Sequence, residues 1–470
     1  MQLSHARGRI SARFDDPNLV SCAGLVAVSA LATRAGLPRL LERLTVPAPN
    51  AASKLLAVVL GMVAGADSIS DLDVLRHGGM RRVFAGVRAP STLGTLLRSF
   101  TFGHVRQLDA VAARLLAALC RWAPLLPGGD ELAYLDIDDT VRETHGYRKQ
   151  GSGRGYTGVN GLNVLLATVS TPGRVPLIAG ARLRRGGANS MRGAAKLLAD
   201  ALATAKRTGA SGLLIVRADS AFYAESIIAA ARRAGARFSV TVRQTPTISA
   251  AIATIPAGGW TAIDYRSSIF DPEIGDWVSG AEVAEIGYTA FTGRRRDQQV
   301  TARLIVRRVR RLNPDQHGPG ARHLAGRLSD EQLELFTAYR YHAIFTDSPL
   351  ETLPAEAAHR DHAVVEQVIA DLKDSALAHL PSGHFSANGA WVACAVMAYN
   401  LTRAAGALAG SLHTGQRTAT LRTQLINVAA RLARSARRLV LHLPRDWPYE
   451  PGLDDLLRAA LHDPVPTPAA

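Results

Sequence analysis

The chain has 470 residues, 55 of them Lys or Arg against 39 Asp or Glu, for a net charge of +16. That length asks for roughly two to four folded units, and a hydrophobic content of 47% excludes wholesale disorder. The cationic excess favours a polyanionic partner, of which nucleic acid is the commonest. Cys22, Cys120 and Cys394 are far apart in sequence. They form neither a zinc-ligand spacing nor a disulfide framework, which suits a reducing cytoplasm. The N-terminal stretch lacks the apolar core of a secretion signal. The longest uncharged apolar run, Leu55 to Ala66, falls short of the roughly 20 residues that span a bilayer. A cytoplasmic protein with no membrane partner is expected.

Residues 20–123 read as helices, because apolar residues recur at helical spacing in CAGLVAVSALA, KLLAVVLGMVA and LDAVAARLLAALCRW. Ser70 and Ser91 are placed as N-caps ahead of DLDVLRH and TLGTLLRSF. The Pro-Gly-Gly of PLLPGGDE marks a boundary. From Glu131 the texture changes to strands: ELAYLDID, GLNVLLATVS and RVPLIAGARL. A helix over 190–207, the strand SGLLIVRAD, the helix FYAESIIAAARRAG and the strand ARFSVTVR follow. This alternation argues for an α/β sheet with some parallel pairing. Residues 245–345 read as an inserted, mainly β unit. After Pro354 helices return through about residue 460, and the tail DPVPTPAA reads as loose. On a helix, Arg431, Arg434 and Arg438 would form one basic stripe. The expected divisions are 1–126, 127–244, 245–345, 346–410 and 411–470.

Three acids stand out. In LDIDDT (135–140), side-chain alternation buries Leu135 and Ile137 on one side of a strand and projects Asp136 and Asp138 from the other. Acids inside a core strand are costly unless paired or bound to a cation. The apolar run GLLIV reads as a covered strand and ends at Asp219, directly before a helix. Strand carboxyl ends are where α/β sheets place their chemistry, although an Asp there also serves as an N-cap. Farther on, His359, His362, Glu366 and Lys373 share one helical stripe, with Val365, Ile369 and Leu372 on another face. An ordinary exposed helix face is the plain alternative.

Together, LDIDDT, GRGYTGVNGLNVLLA (153–167), VRADSAFY (216–223), HRDHAVVEQVIADLKD (359–374) and MAYNL (397–401) resemble bacterial insertion-sequence transposases of the Asp-Asp-Glu class. Within that class they are similar to the thirteen-eighty family. The resemblance implies an α/β, RNase H-like catalytic core with an inserted mainly-β subdomain, flanked by N-terminal and C-terminal helical regions. It implies that Asp138, Asp219 and Glu366 are catalytic and hold two Mg²⁺ ions, with Mn²⁺ able to substitute. Asp138 is preferred as the first acid and Asp136 is the alternative. The implied partner is double-stranded DNA, both the element's terminal inverted repeats and its target, with a homodimer on DNA as the expected assembly. The N-terminal region would bind the element ends.

The family's helix signature runs Tyr-x2-Arg-x3-Glu-x6-Lys. Glu366 and Lys373 match it, whereas His359 and His362 occupy the Tyr and Arg positions, with Arg360 one residue along. The DNA-contacting candidates are therefore Arg360, His362, Lys373, the hairpin residue Arg154 of GSGRG, and Arg431, Arg434 and Arg438. Two other readings share the same acids or the same basic surface: a nuclease that cuts without joining strands, and an inactive DNA-binding derivative.

Overall fold

The computed structural model describes residues 11–462, apart from 85, 146–148, 156, 272–275, 311–338 and 437. The C-terminal stretch expected to be loose, 463–470, lies outside the described residues. Among those described, no helix is long and apolar enough to cross a membrane.

In chain order, β1 (Leu19–Val20) precedes α1 (Leu25–Arg34), α2 (Leu37–Glu42), α3 (Ala51–Ala64), α4 (Met80–Val83), α5 (Pro90–Arg98) and α6 (Phe102–Trp122). Strands β2 (Leu132–Glu143), β3 (Gly153–Arg154), β4 (Asn160–Ser170) and β5 (Leu177–Arg185) follow. Then come α7 (Ala194–Arg207), β6 (Leu213–Ala218), α8 (Glu225–Arg233), β7 (Arg237–Val242) and α9 (Pro246–Ala253). Next are β8 (Thr261–Asp271), β9 (Asp276–Ala290), β10 (Val300–Arg310), β11 (Tyr339–Thr346), α10 (Thr352–Arg360) and α11 (Val364–Lys373). The last elements are α12 (Phe385–Leu408), α13 (Ser411–Thr414), α14 (Thr418–Leu421), β12 (Ala430–Ser435), β13 (Arg438–His442) and α15 (Glu450–Leu461).

Two compact units result, one of residues 112–373 and one joining 1–111 to 374–470. In the second, α3 and α12 pack against each other. Both are apolar nearly all round and buried on almost every side, as a central helix must be. The expected Ser caps do not form. Ser70 is the first residue of a 3₁₀ turn behind Ile69, and Ser91 lies inside α5, which starts at Pro90. Proline's fixed φ suits a first helical position. Asp71 accepts from the Ser68 N–H and hydroxyl instead, at 3.0 and 2.7 Å.

The expected C-terminal helix is also corrected. Ala430–Ser435 and Arg438–His442 are strands, and β12 pairs antiparallel with both β13 and β1, in the order β1-β12-β13. Buried Leu432 follows exposed Arg431, the alternation of a strand with one covered face. An arginine spacing that suits a helix gives way to pairing with a strand some 400 residues earlier, and tertiary context routinely overrides such local preference. Arg431 and Arg434, three apart, consequently fall on opposite faces of β12. Arg431, Arg434 and Arg438 all remain exposed.

The other unit is built on one ten-stranded sheet in the order β3-β4-β2-β6-β7-β11-β10-β9-β8, with β5 also paired to β4. The pairs β2·β6 and β6·β7 are parallel and the remainder antiparallel. The segment expected as a β unit thus does not close on itself: β11 pairs with β7 and carries β8–β10 onto the core sheet. On the opposite edge, GSGRG makes a hairpin in which Gly153 faces Gly161. A Cβ on Gly186 would lie 2.0 Å from the Gly161 carbonyl and 2.2 Å from that of Gly153. Only glycine lets these backbones meet.

Candidate active site

The register of β2 against β6 sets the site. Asp136 lies opposite Arg217 and Ile137 opposite Ala218, so the next step brings Asp138 beside Asp219, where β6 has ended. Parallel in-register neighbours project to the same face, and alternate residues of one strand share it. One face therefore carries Asp136 with Arg217, then Asp138 with Asp219.

These two pairs behave differently. Asp136 is fully buried, and Arg217 is 2% exposed. The guanidinium grips the carboxylate at two points, Nε to Oδ1 at 2.7 Å and Nη2 to Oδ2 at 2.8 Å. It also donates to the Ala358 carbonyl and lies 4.0 Å from the Tyr134 ring centre. His362 Nδ1 reaches Asp136 Oδ1 at 3.0 Å. Burial alone would push the Asp136 carboxyl up, but the His362 hydrogen bond and the Arg217 charge outweigh it and hold the group below the usual carboxylate range. Every oxygen of Asp136 is engaged.

Asp138 and Asp219 instead line a cavity of about 720 Å³ together with Asp139, Arg154, Arg243 and the loop 187–191. Burial pushes the Asp138 carboxyl up to about 6, with Asp219 and Asp139 adding to the rise; the Asp139 N–H, 2.7 Å away, and His362 oppose it. Burial likewise raises Asp219, against the Ala221 N–H, His362 and Arg243. Asp219 does cap, accepting from that N–H at 3.0 Å, but it caps only the 3₁₀ turn Ser220–Phe222 and not α8. Two adjacent carboxyls that both resist ionising are a place for a cation.

The raised Asp138 has a measurable consequence. Between about pH 4 and 6 the folded, cation-free protein binds a proton there that the unfolded chain does not, so this group's contribution to stability falls as pH rises through 6. Asp138→Asn should therefore stabilise the cation-free protein at pH 7.5, on the order of 1–2 kcal/mol after solvent screening. The gain should vanish near pH 4. Thermal melts at both pH values in a chelator test this; an equal effect at the two would contradict it.

Asp139 faces the other side of β2 and was not anticipated from the sequence. Its carboxylate accepts from Arg184, from Asn163 Nδ2 at 2.8 Å and from Ser190 Oγ at 3.3 Å. Arg184 also donates to the carbonyls of Asn189, Ser190 and Arg192 at 3.1, 2.8 and 2.9 Å. This buried arginine ties the cavity's loop wall to the sheet. Among the three arginines of RLRRGG, Arg184 carries no local signal of that role.

The segment expected as one helix is broken. Helix α10 ends at Arg360, a 3₁₀ turn spans Asp361–Ala363, and α11 begins at Val364. The four-residue stripe is corrected accordingly. His359 is buried, with Nδ1 2.9 Å from Ser239 Oγ and Nε2 2.8 Å from Thr241 Oγ1, so both ring nitrogens are occupied inside the fold. Burial pushes it down to about 3, helped by His362 and Arg217. Below about pH 6.5 the unfolded chain takes up a proton that the folded one refuses, so stability contributed by neutral His359 is lost as pH falls toward 3. His359→Gln keeps an amide for both hydroxyls and removes the titration. Its denaturant midpoint should fall less than the parent's between pH 7 and 4.5, and parallel curves would refute this.

Helix α11 packs on β2 with Val365, Val368, Ile369 and Leu372 buried. Glu366 is on its exposed side, one turn after His362, and does not line the cavity. Lys373 is lowered by burial and by Arg142, while Asp138 acts the other way. His362 and Lys373, on either side of Glu366, are thus both within electrostatic reach of Asp138. Arg360 donates to Glu356 Oε2 at 2.9 Å, and Arg154 is exposed on β3 at the cavity. Trp260 lies 4.1 Å under the Arg308 guanidinium.

No curated protein shows significant similarity to the chain. A family model described as transposase DDE domain group 1 matches residues 3–462. With its paired strand acids and nearly its whole length inside that match, the chain belongs to the DDE transposase domain family, group 1.

Proposed function

We propose that this transposase excises and inserts its own insertion sequence by divalent-metal-dependent DNA cleavage and strand transfer. Asp138, Asp219 and Glu366 are its catalytic carboxylates. The observation that carries the reading is the side-by-side placement of Asp138 and Asp219 in one cavity, beside the helix that bears Glu366. Among the described residues no group of three His, Cys, Asp or Glu is close enough to hold a metal. The donor set nevertheless fits, since two carboxylates line one cavity and hard carboxylate oxygens are the ligands that Mg²⁺ or Mn²⁺ prefers. Asp138 and Asp219 would hold such ions, with Glu366 as the third ligand. When bound there, divalent cations activate the attacking oxygen and stabilise the leaving oxygen of a phosphodiester exchange.

The protein's own groups do the remaining work. Arg217 and His362 fix Asp136 and, through it, the strand that carries Asp138. Arg184 holds the loop wall. Arg154, His362, Lys373 and Arg360 line the approach for a DNA strand, and exposed Arg431, Arg434 and Arg438 offer phosphate contacts on β12 and β13 of the other unit. The N-terminal helices bind the element ends, and the active assembly is a homodimer on DNA. The strand order β5-β4-β2-β6-β7 supports an RNase H-like core, and the β8–β11 extension between Asp219 and Glu366 supports placement in the thirteen-eighty family.

A plasmid carrying the element's inverted ends should be cut in Mg²⁺ and left intact in EDTA; absence of any cutting would overturn the reading. Binding to the same ends should fall on the order of a hundredfold or more between low and moderate salt, because phosphate contacts release counterions. A flat salt titration would contradict a phosphate-dominated interface.

A further inference from the structure

Arg243 had no place in the sequence reading, yet it stands one residue beyond β7 and lines the cavity with the two acids. Its Nε donates to Ser220 Oγ at 3.2 Å, which anchors the guanidinium next to Asp219. It is otherwise exposed, and among the described residues neither it nor Arg154 has a carboxylate partner at ion-pair distance. Other arginines of this unit are consumed inside the fold: Arg217 by Asp136 and Arg184 by Asp139. A cation held at a cavity wall with unused donors is arranged for an anionic ligand.

The strand order says how that ligand would run. Along β3-β4-β2-β6-β7, Arg154 belongs to β3, Asp138 to β2, Asp219 follows β6 and Arg243 follows β7. The acids therefore lie between two arginines. Arg243 follows the strand next to Asp219, two residues past its level, because Ala218 pairs with Val240. Arg154 is two strands from Asp138 and six residues farther along, because it pairs with Asn160 while Asp138 pairs with Leu166. Yet both arginines line the same cavity as the acids. A sugar-phosphate backbone crossing the cavity would meet a guanidinium, then the carboxylates, then a second guanidinium. Planar guanidinium forks suit phosphate oxygens.

We propose that Arg243 binds the phosphate immediately beside the scissile one and Arg154 a phosphate on its other side, stringing the cut strand across Asp138 and Asp219. This rests on the catalytic reading above and adds the direction of the strand and a phosphate-binding residue.

The test is a double-mutant cycle between protein and DNA, read as binding in EDTA so that chemistry does not enter. Duplexes bearing the element's terminal repeat carry a single neutral methylphosphonate at successive positions around the cleavage site. They are titrated by fluorescence anisotropy against the parent, Arg243→Ala, Arg243→Lys and Arg154→Ala. At one position next to the scissile phosphate, neutralisation should weaken the parent by about tenfold or more, the scale of a hydrogen bond to a charged group. It should cost Arg243→Ala nothing further. Arg154→Ala should show the same non-additivity at a position on the opposite side, and Arg243→Lys should recover part of the loss. Effects that add at every position, or coupling of both arginines to one side, would overturn the proposal. Loss of parental cleavage in Mg²⁺ would instead strike the catalytic reading, which the cycle does not depend on. Melting curves of the variants should overlay the parent's, since both side chains are exposed.

Discussion

Asp138→Asn and Asp219→Asn are each expected to reduce strand cleavage by at least about a hundredfold, the scale on which one lost charge-stabilising group slows a reaction, while leaving end binding within a few-fold. Each change keeps the side-chain shape and removes one negative charge from the cavity that the two acids share. The barrier depends on oxygens that hold cations, whereas affinity for DNA depends on the basic surface. The two readouts should therefore separate. A Mg²⁺-dependent excision assay run beside a binding titration checks this, with circular dichroism to confirm folding. Cutting at parental rates by Asp219→Asn would sink the mechanism, and a parallel loss of binding would make these acids structural. Glu366→Gln should behave like the two Asp variants although Glu366 lies exposed on α11. Full activity in that variant would remove it from the catalytic set.

Breaking the Asp136–Arg217 pair should cost the most stability. Both groups are desolvated, so Arg217→Met leaves a buried carboxylate with His362 as its main partner, and Asp136→Asn leaves a buried guanidinium short of its counter-charge. Loss of one member of such a pair costs about 3–5 kcal/mol, whereas replacing both with apolar groups of similar volume is often close to neutral. The double variant Asp136→Leu/Arg217→Met should accordingly recover much of what either single change loses. Urea denaturation of the four proteins measures this coupling. Single-variant losses below about 1 kcal/mol, as for an exposed pair, would mean that the buried pair does not hold the core. The contrast with Asp138→Asn, which is expected to stabilise the cation-free protein, separates the ion-paired aspartate from the cavity-lining one two residues away.

Several features of this arrangement are local and were legible in the residues. The alternation in LDIDDT puts Asp136 and Asp138 on one face, because a strand's side-chain period is two. The apolar run ending at Asp219 announces a covered strand whose end is open. Glycines in GSGRG announce a hairpin, and Gly153 and Arg154 do form β3.

What the residues could not decide depends on partners distant in sequence. Asp136 and Asp138 look alike in LDIDDT, and only the β2·β6 register, which puts Arg217 beside the first and Asp219 beside the second, makes one a buried counter-ion and the other a cavity acid. His359 fits a helical stripe by spacing, but a 3₁₀ turn at 361–363 breaks the helix and Ser239 and Thr241 of β7 capture the ring. Arg431, Arg434 and Arg438 fit a helix equally well, until pairing with β1 turns them into strand residues. Arg243 and Arg184 carry no motif at all. Periodicity reports which face of an element is buried, because burial acts on each residue through its own solvation; which charge meets which is set by strand register and loop closure, and those are properties of the assembled sheet.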